Sequence, residues 1–220
     1  MLIHRLILPT AALPALATFY ADVLGLPVLT RSADEITLAV GRGQLTFVTA
    51  AVGPAPFFHV AFEVAADAVE AAARWLAAAA PLLRYQGAPI IEFPNWHARS
   101  AYICDPGGNI IECIGRQPLA GPPAGNPFSA LDLRGLSEIG LVVPDVPAYA
   151  AVLAAATGLT PFVRQPATAQ FMALGTDAGL LLLVPPGRAW FPTTVASACF
   201  PLTAELLLPG APAPFQLRLP

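Results

Sequence analysis

The sequence predicts an α+β fold of paired βαβββ modules forming two half-barrel domains, the second one degenerate. Three observations carry this reading. First, a pattern of strand, proline, apolar helix and Leu-Gly-Leu-Pro-Val over residues 3–28 returns over 139–162. There it runs strand, Val-Pro-Asp-Val-Pro, apolar helix and Gly-Leu-Thr-Pro-Phe. Second, short apolar runs of strand length, broken by Gly and Pro, follow each helix. Third, the 220 residues are 56% hydrophobic and only 11% charged. Average chains are about 45–50% apolar and about 25% charged, so disorder is excluded and a large core is expected without disulfides.

The elements follow in order. Residues 2–8 form a strand, and Pro14 opens a helix whose Leu16, Phe19, Tyr20, Val23 and Leu24 share one face before Gly25 stops it. Strands are expected at 28–31, 35–40 and 45–50, with Gly41-Arg42-Gly43 as the hairpin turn. A second unit has a strand at 57–64 and a helix at 67–80, capped by Asp67 and stopped by Pro81. Strands at 82–85, 100–104 and 110–115 complete it, the last two joined through Asp105-Pro106-Gly107-Gly108-Asn109. These two modules make a first domain, 1–116. Residues 117–136, rich in Pro, Gly and Ala, read as a linker. The second, truncated domain, 137–220, holds a third unit (strand 138–143, helix 147–156, strands near 162–165, 170–174 and 179–184). Of a fourth unit it has only two strands, near 196–207 and 214–219.

The formal charge is −3 and the chain contains no lysine, so no basic stripe exists to neutralise phosphates and a nucleic-acid partner is excluded. The uncharged run 146–163 is interrupted by Pro147, Gly158 and Pro161, and 178–187 is too short to span, so no membrane is expected. The first 17 residues look like a short signal peptide, but the same pattern recurs in mid-chain. They are therefore read as a fold element and the protein as cytoplasmic. Cys104, Cys113 and Cys199 lack C-x-x-C spacing and read as buried reduced thiols. So apolar a surface calls for cover, and a homodimer is expected.

Three residues could carry metal chemistry. In Phe57-Phe58-His59-Val60-Ala61-Phe62-Glu63-Val64, alternation sends Phe58, Val60, Phe62 and Val64 to one face and His59, Ala61 and Glu63 to the other. His59 thus projects from a rigid strand toward a cavity. Glu112 lies in Ile110-Ile111-Glu112-Cys113-Ile114, apolar on both faces, where a lone carboxylate needs a cation. His4 sits in the first strand of its module as His59 does in the second, so the two should be counterparts. Two imidazoles and a carboxylate from three strands would form a facial triad with open positions. Each has a plainer reading: His4 an ordinary near-terminal residue, His59 a satisfied cavity histidine, Glu112 a partner of Arg116.

The stretches His4…Phe19-Tyr20-Ala21-Asp22-Val23-Leu24-Gly25-Leu26-Pro27-Val28, Phe58-His59-Val60-Ala61-Phe62 and Tyr102-Ile103-Cys104-Asp105-Pro106-Gly107-Gly108-Asn109-Ile110-Ile111-Glu112 resemble the vicinal oxygen chelate superfamily. That superfamily includes glyoxalases, bleomycin-resistance proteins, thiol transferases and extradiol dioxygenases. The resemblance implies that His4, His59 and Glu112 hold a divalent metal ion, Fe2+, Mn2+ or Zn2+. The strand at 45–50 lacks the acid that glyoxalases usually add, and the missing lysine weakens the thiol-transferase branch. Tyr102, ten residues before Glu112, matches the extradiol spacing, with His97 nearer to it than usual. Tyr102 and His97 are therefore the candidates for proton transfer. The implied function is a metal-dependent enzyme acting on a small oxygen-bearing substrate, dioxygenase-like or lyase/isomerase-like. The alternative is a metal-free, bleomycin-resistance-type protein that sequesters a small apolar ligand. The second half reads as inert: it has no histidine, and Ser137 or Glu138 stands where His4 stands in the first. Arg188-Ala189-Trp190-Phe191-Pro192 reads as a ligand wall or an interface.

Overall fold

In the computed structural model, which describes residues 1–119, 121 and 123–220, thirteen strands join into one sheet. Strand β1 (Leu2–Thr10) runs parallel to β4 (Gly43–Thr49), which pairs with β3 (Glu35–Val40), and β3 with the exposed edge strand β2 (Val28–Arg31). Between β1 and β2, α1 (Leu13–Ala17) starts on Pro14 and continues into a wider π turn, Thr18–Val23. Gly41, in the turn before β4, has φ +53° and lies against the backbone of Leu133 and Arg134, where a Cβ would collide.

The second unit repeats the order. Strand β5 (His59–Val64) runs parallel to β8 (Ile110–Arg116), followed outward by β7 (Ala98–Cys104) and β6 (Ile91–Phe93), with α2 (Val69–Ala79) packed on β7. The third unit has β9 (Gly135–Val142), α3 (Val146–Thr157), β10 (Met172–Thr176) and β11 (Gly179–Val184), with β9 parallel to β11. Strands β12 (Leu202–Leu207) and β13 (Phe215–Leu219) form the last hairpin.

The strands that begin the units set the architecture. β5 pairs antiparallel with β9, and β1 pairs antiparallel with β12. β9 stands between β1 and β5, so the second unit meets the third, and the first meets the stunted fourth. Phe58, Val60, Phe62 and Val64 go to the main core, together with Ile111 and Cys113 of β8 and Ile139 and Leu141 of β9. The opposite faces of these strands are left for the cavity described below.

The Asp-Pro-Gly-Gly-Asn turn acts as a latch. The buried Asp105 carboxylate accepts from the amides of Gly107 and Asn109, from Asn109 Nδ2 and from the Tyr20 hydroxyl at 2.7 Å, while Asn109 Oδ1 accepts from Phe58 N at 2.8 Å. It ties the first helix to the start of β5.

Several expectations are corrected. No strand forms at 82–85: Gln86 and Gly87 take positive φ and turn the chain back, and the strand beside β7 is β6 instead. Residues 162–165 are not a strand either, because only Pro161 bridges β10 before the chain turns away with Val163 exposed. Helix α2 is capped at Ala68, not Asp67. Cys113 is buried, but Cys104 and Cys199 are exposed, and all three are free. Of the linker read at 117–136, Ala120 and Pro122 lie outside the described residues. Ala130–Asp132 form a 3-10 turn capped by Ser129. No helix among the described residues is long and apolar enough to cross a membrane.

Candidate metal centre and ligand cavity

Where β5, β8 and β9 lie side by side, each turns one polar residue onto the same face. On β8, Ile110, Glu112 and Ile114 point away from the main core, and on β5 so do His59 and Ala61. On β9 the register breaks: Ala61 pairs with Glu138 but Phe62 with Leu136, which leaves Ser137 as the extra residue. Such a bulge re-aims the residue after it, and here it brings Glu138 to the cavity face. His59, Glu112 and Glu138 each offer a ligand atom within 4.8 Å of the others, and all three are buried.

Two charge pairs hold this cluster. His59 Nε2 lies 3.0 Å from Glu112 Oε2, and Ser100 Oγ donates to Glu112 Oε1 at 2.5 Å. Arg116, whose side chain is 0% exposed, donates to Glu138 Oε1 and to Ser137 Oγ, and its guanidinium lies 5.9 Å from the centre of the Trp96 ring. The plainer reading of Glu112 as a partner of Arg116 is therefore not what forms: Arg116 reaches across to β9. Burial opposes ionisation of Glu112, but the hydrogen bond and charge of His59, with Ser100, hold its carboxyl below the usual range. Burial likewise opposes the His59 cation, and Glu112 outweighs it, so His59 titrates above the ordinary imidazole value. Burial and the Glu112 charge push Glu138 up against the opposing pull of Arg116.

The cluster opens into a cavity of about 280 Å³. Phe93, Trp96, Tyr102, Phe171, Trp190 and Phe191 supply its aromatic walls. Trp190 stacks on His59 with ring centres 5.5 Å apart, and Gly140 on β9 lies directly under its ring, where a side chain would collide. Tyr102 pairs across the sheet with Glu112, and burial followed by the Glu112 charge pushes its phenol well above the usual value, so it stays protonated.

The remaining sequence candidates fall elsewhere. His4 is half-buried on β1, in the irregularity between the Ile3–Leu206 and Arg5–Glu205 pairs. It occupies the bulge position that Ser137 occupies on β9, so its neighbour across the sheet is β12 and not β5. Arg5, the counterpart of Glu138, donates to Thr46 Oγ1 at 3.1 Å. His97 is exposed, with φ +49° just after the 3-10 turn Pro94–Trp96, and does not line the cavity although Trp96 does. The half read as inert supplies Glu138 and, with Phe171, Arg188, Trp190 and Phe191, much of the wall.

No family model and no curated protein matches the sequence. Solved structures do. A Bacillus subtilis "putative dioxygenase" superposes with a TM-score of 0.61 at 18% identity over 84% of this chain. The chain shares the fold of that protein. This chain covers 63% of the length of the Bacillus protein. A lactoylglutathione lyase from Agrobacterium tumefaciens matches 51% of the chain at 24% identity, with a TM-score of 0.41. A glyoxalase/bleomycin resistance protein/dioxygenase from Nocardioides matches 57% at 23% identity, with a TM-score of 0.42.

One imidazole nitrogen and two carboxylates form a donor set suited to Fe2+, Mn2+ or Zn2+. His59 Nδ1 is buried without a hydrogen-bond partner among the described residues, so the ring is not committed to a fixed donor–acceptor role. The residues present fit a divalent ion.

Proposed function

We propose that the protein is a metal-dependent enzyme of the vicinal oxygen chelate type, acting on a small oxygen-bearing substrate, with His59, Glu112 and Glu138 as the metal-holding residues. The observation that carries this is the buried His-Glu-Glu cluster that lines an aromatic cavity. A bound divalent ion supplies Lewis-acid polarisation of substrate oxygens, and a redox-active one also supports dioxygen chemistry. Ser100 and Arg116 fix the two carboxylates from outside. The Tyr102 phenol, held protonated, donates a hydrogen bond to a substrate oxygen. Trp190 covers His59 and keeps bulk water from that side.

A second reading, a metal-free binding protein, has its own support. The pairs His59–Glu112 and Arg116–Glu138 can balance their charges without an ion. Metal analysis of protein purified without chelators decides between them. About one divalent ion per chain is expected, retained in His4→Ala and lost in His59→Ala and Glu138→Gln. No uptake even after anaerobic loading with Fe2+ would sink the enzyme reading in favour of the binding protein.

A further inference from the structure

We infer that the cavity takes a small planar aromatic carboxylate, its ring held among the aromatic walls and its acid group on Arg188. This rests on the metal-centre reading above only for where the opposite end of the ligand lies. Arg188 lines the cavity, half-buried, with its guanidinium 5.0 Å from the centre of the Phe171 ring. Arg116, Arg164 and Arg99 each meet a carboxylate, and the half-buried Arg5 donates to Thr46 Oγ1. Arg188 meets no carboxylate among the described residues, and its own contact is a long one, 3.4 Å to the Ala189 carbonyl. Burial holds its pKa below the usual arginine value, as expected of a cation removed from water without a counter-ion. A planar fork stacked on an aromatic ring matches a carboxylate edge-on and bidentately.

The backbone that carries Arg188 is fixed. Gly187 N donates to Ser197 O at 2.8 Å, Ser197 N to Arg188 O at 2.8 Å and Trp190 N to Val195 O at 2.9 Å. The backbone from which Arg188 reaches into the cavity is thus preorganised. Size and charge narrow the ligand further. A volume of about 280 Å³ lies at the small end of ligand sites, which run from roughly 300 to 1,000 Å³. Six aromatic side chains offer faces and edges to a ring. The cations of the cluster, His59 and Arg116, already face Glu112 and Glu138, which leaves Arg188 as the lining cation without a carboxylate among the described residues, so the acid group belongs with Arg188 and neutral oxygens with the cluster.

The test compares benzoate with its neutral isostere benzamide, read by quenching of tryptophan fluorescence. Trp96 and Trp190 line the cavity, while Trp75 packs on Phe128 outside it. Wild-type protein should bind benzoate about tenfold or more tightly than benzamide, the scale of one charge-assisted fork. Arg188→Gln should erase that preference and leave benzamide unchanged, while Arg188→Lys should keep part of it. Equal binding of the two probes by wild type, a preference that survives in Arg188→Gln, or no benzoate binding below about 10 mM would overturn the inference. Metal content measured on the same samples separates the two ideas. A benzoate preference without metal leaves this inference standing while the enzyme reading fails, and metal without the preference does the reverse.

Discussion

Replacing Arg116 with methionine removes the cation that lets Glu138 stay charged inside the protein. Arg116 is fully buried and donates to Glu138 and Ser137. The next carboxylate, Asp177, is 3.9 Å from Nε and is already held by Arg164 at 2.6 Å. Without Arg116, the Glu138 and Glu112 carboxylates face each other with only His59 between them. Breaking a buried ion pair by deleting one partner costs about 3–5 kcal/mol, a large part of the roughly 5–15 kcal/mol that a domain possesses. With a urea slope of about 2 kcal/mol per molar, the unfolding midpoint should fall by about 1.5–2.5 M. Methionine fills much of the vacated volume, so the loss reports charge rather than a cavity. If the cluster holds a divalent ion, that ion replaces the missing positive charge. Manganese at about 100 times its Kd should then return about 2.7 kcal/mol. Urea titrations of both proteins with and without Mn2+ check this. A loss below about 1 kcal/mol would refute the role given to Arg116. The expected loss with no rescue by metal would refute the ion's place in the cluster.

Other perturbations probe the supports of the site. Gly140→Ala pushes a methyl group into the Trp190 ring and should cost about 1–3 kcal/mol, with a change in tryptophan emission; an unaltered spectrum and midpoint would show that the ring has room to move. Tyr20→Phe removes one donor from the buried Asp105 carboxylate and should cost about 1.5–3 kcal/mol at neutral pH. Burial already raises Asp105 above its ordinary 3.8, against its hydrogen bonds. Its contribution therefore favours folding most below that value and declines as pH rises through the folded pKa. Loss of the Tyr20 donor raises the folded pKa further, so the deficit of Tyr20→Phe should shrink toward pH 4 in acid unfolding curves, and a pH-independent deficit would contradict this. Iodoacetamide should modify Cys199 first and Cys104 more slowly in the folded protein, because burial and Asp105 raise the Cys104 thiol. Cys113, pushed far up by burial, should react only after unfolding, and peptide mass mapping would reveal any earlier labelling.

The neighbourhood of His59 and Glu112 was legible because alternation and a lone charge in an apolar strand are local signals. The structure places the two side chains 3.0 Å apart, on adjacent parallel strands with His59 in register with Ile110. The same lone-acid signal stands in β9, where Glu138 interrupts Gly135–Val142, and it could have marked Glu138 as it marked Glu112. It was outweighed by the inference that two units next to each other in sequence share one site. The Asp-Pro-Gly-Gly-Asn motif was legible as well, but what it builds is the Tyr20–Asp105–Asn109 latch rather than chemistry.

From the sequence alone came the repeating units, most of their strands, the face of β5 that carries His59 and the need of Glu112 for a positive partner. These follow from periodicity and desolvation, which act over a few residues. Only the tertiary structure decided which unit meets which. Each strand has two edges that can pair, and nothing in a strand's own pattern says that β9 rather than β1 will lie against β5. That choice, together with one bulge at Ser137, put Glu138 in the cluster and left His4 on the far side of β9.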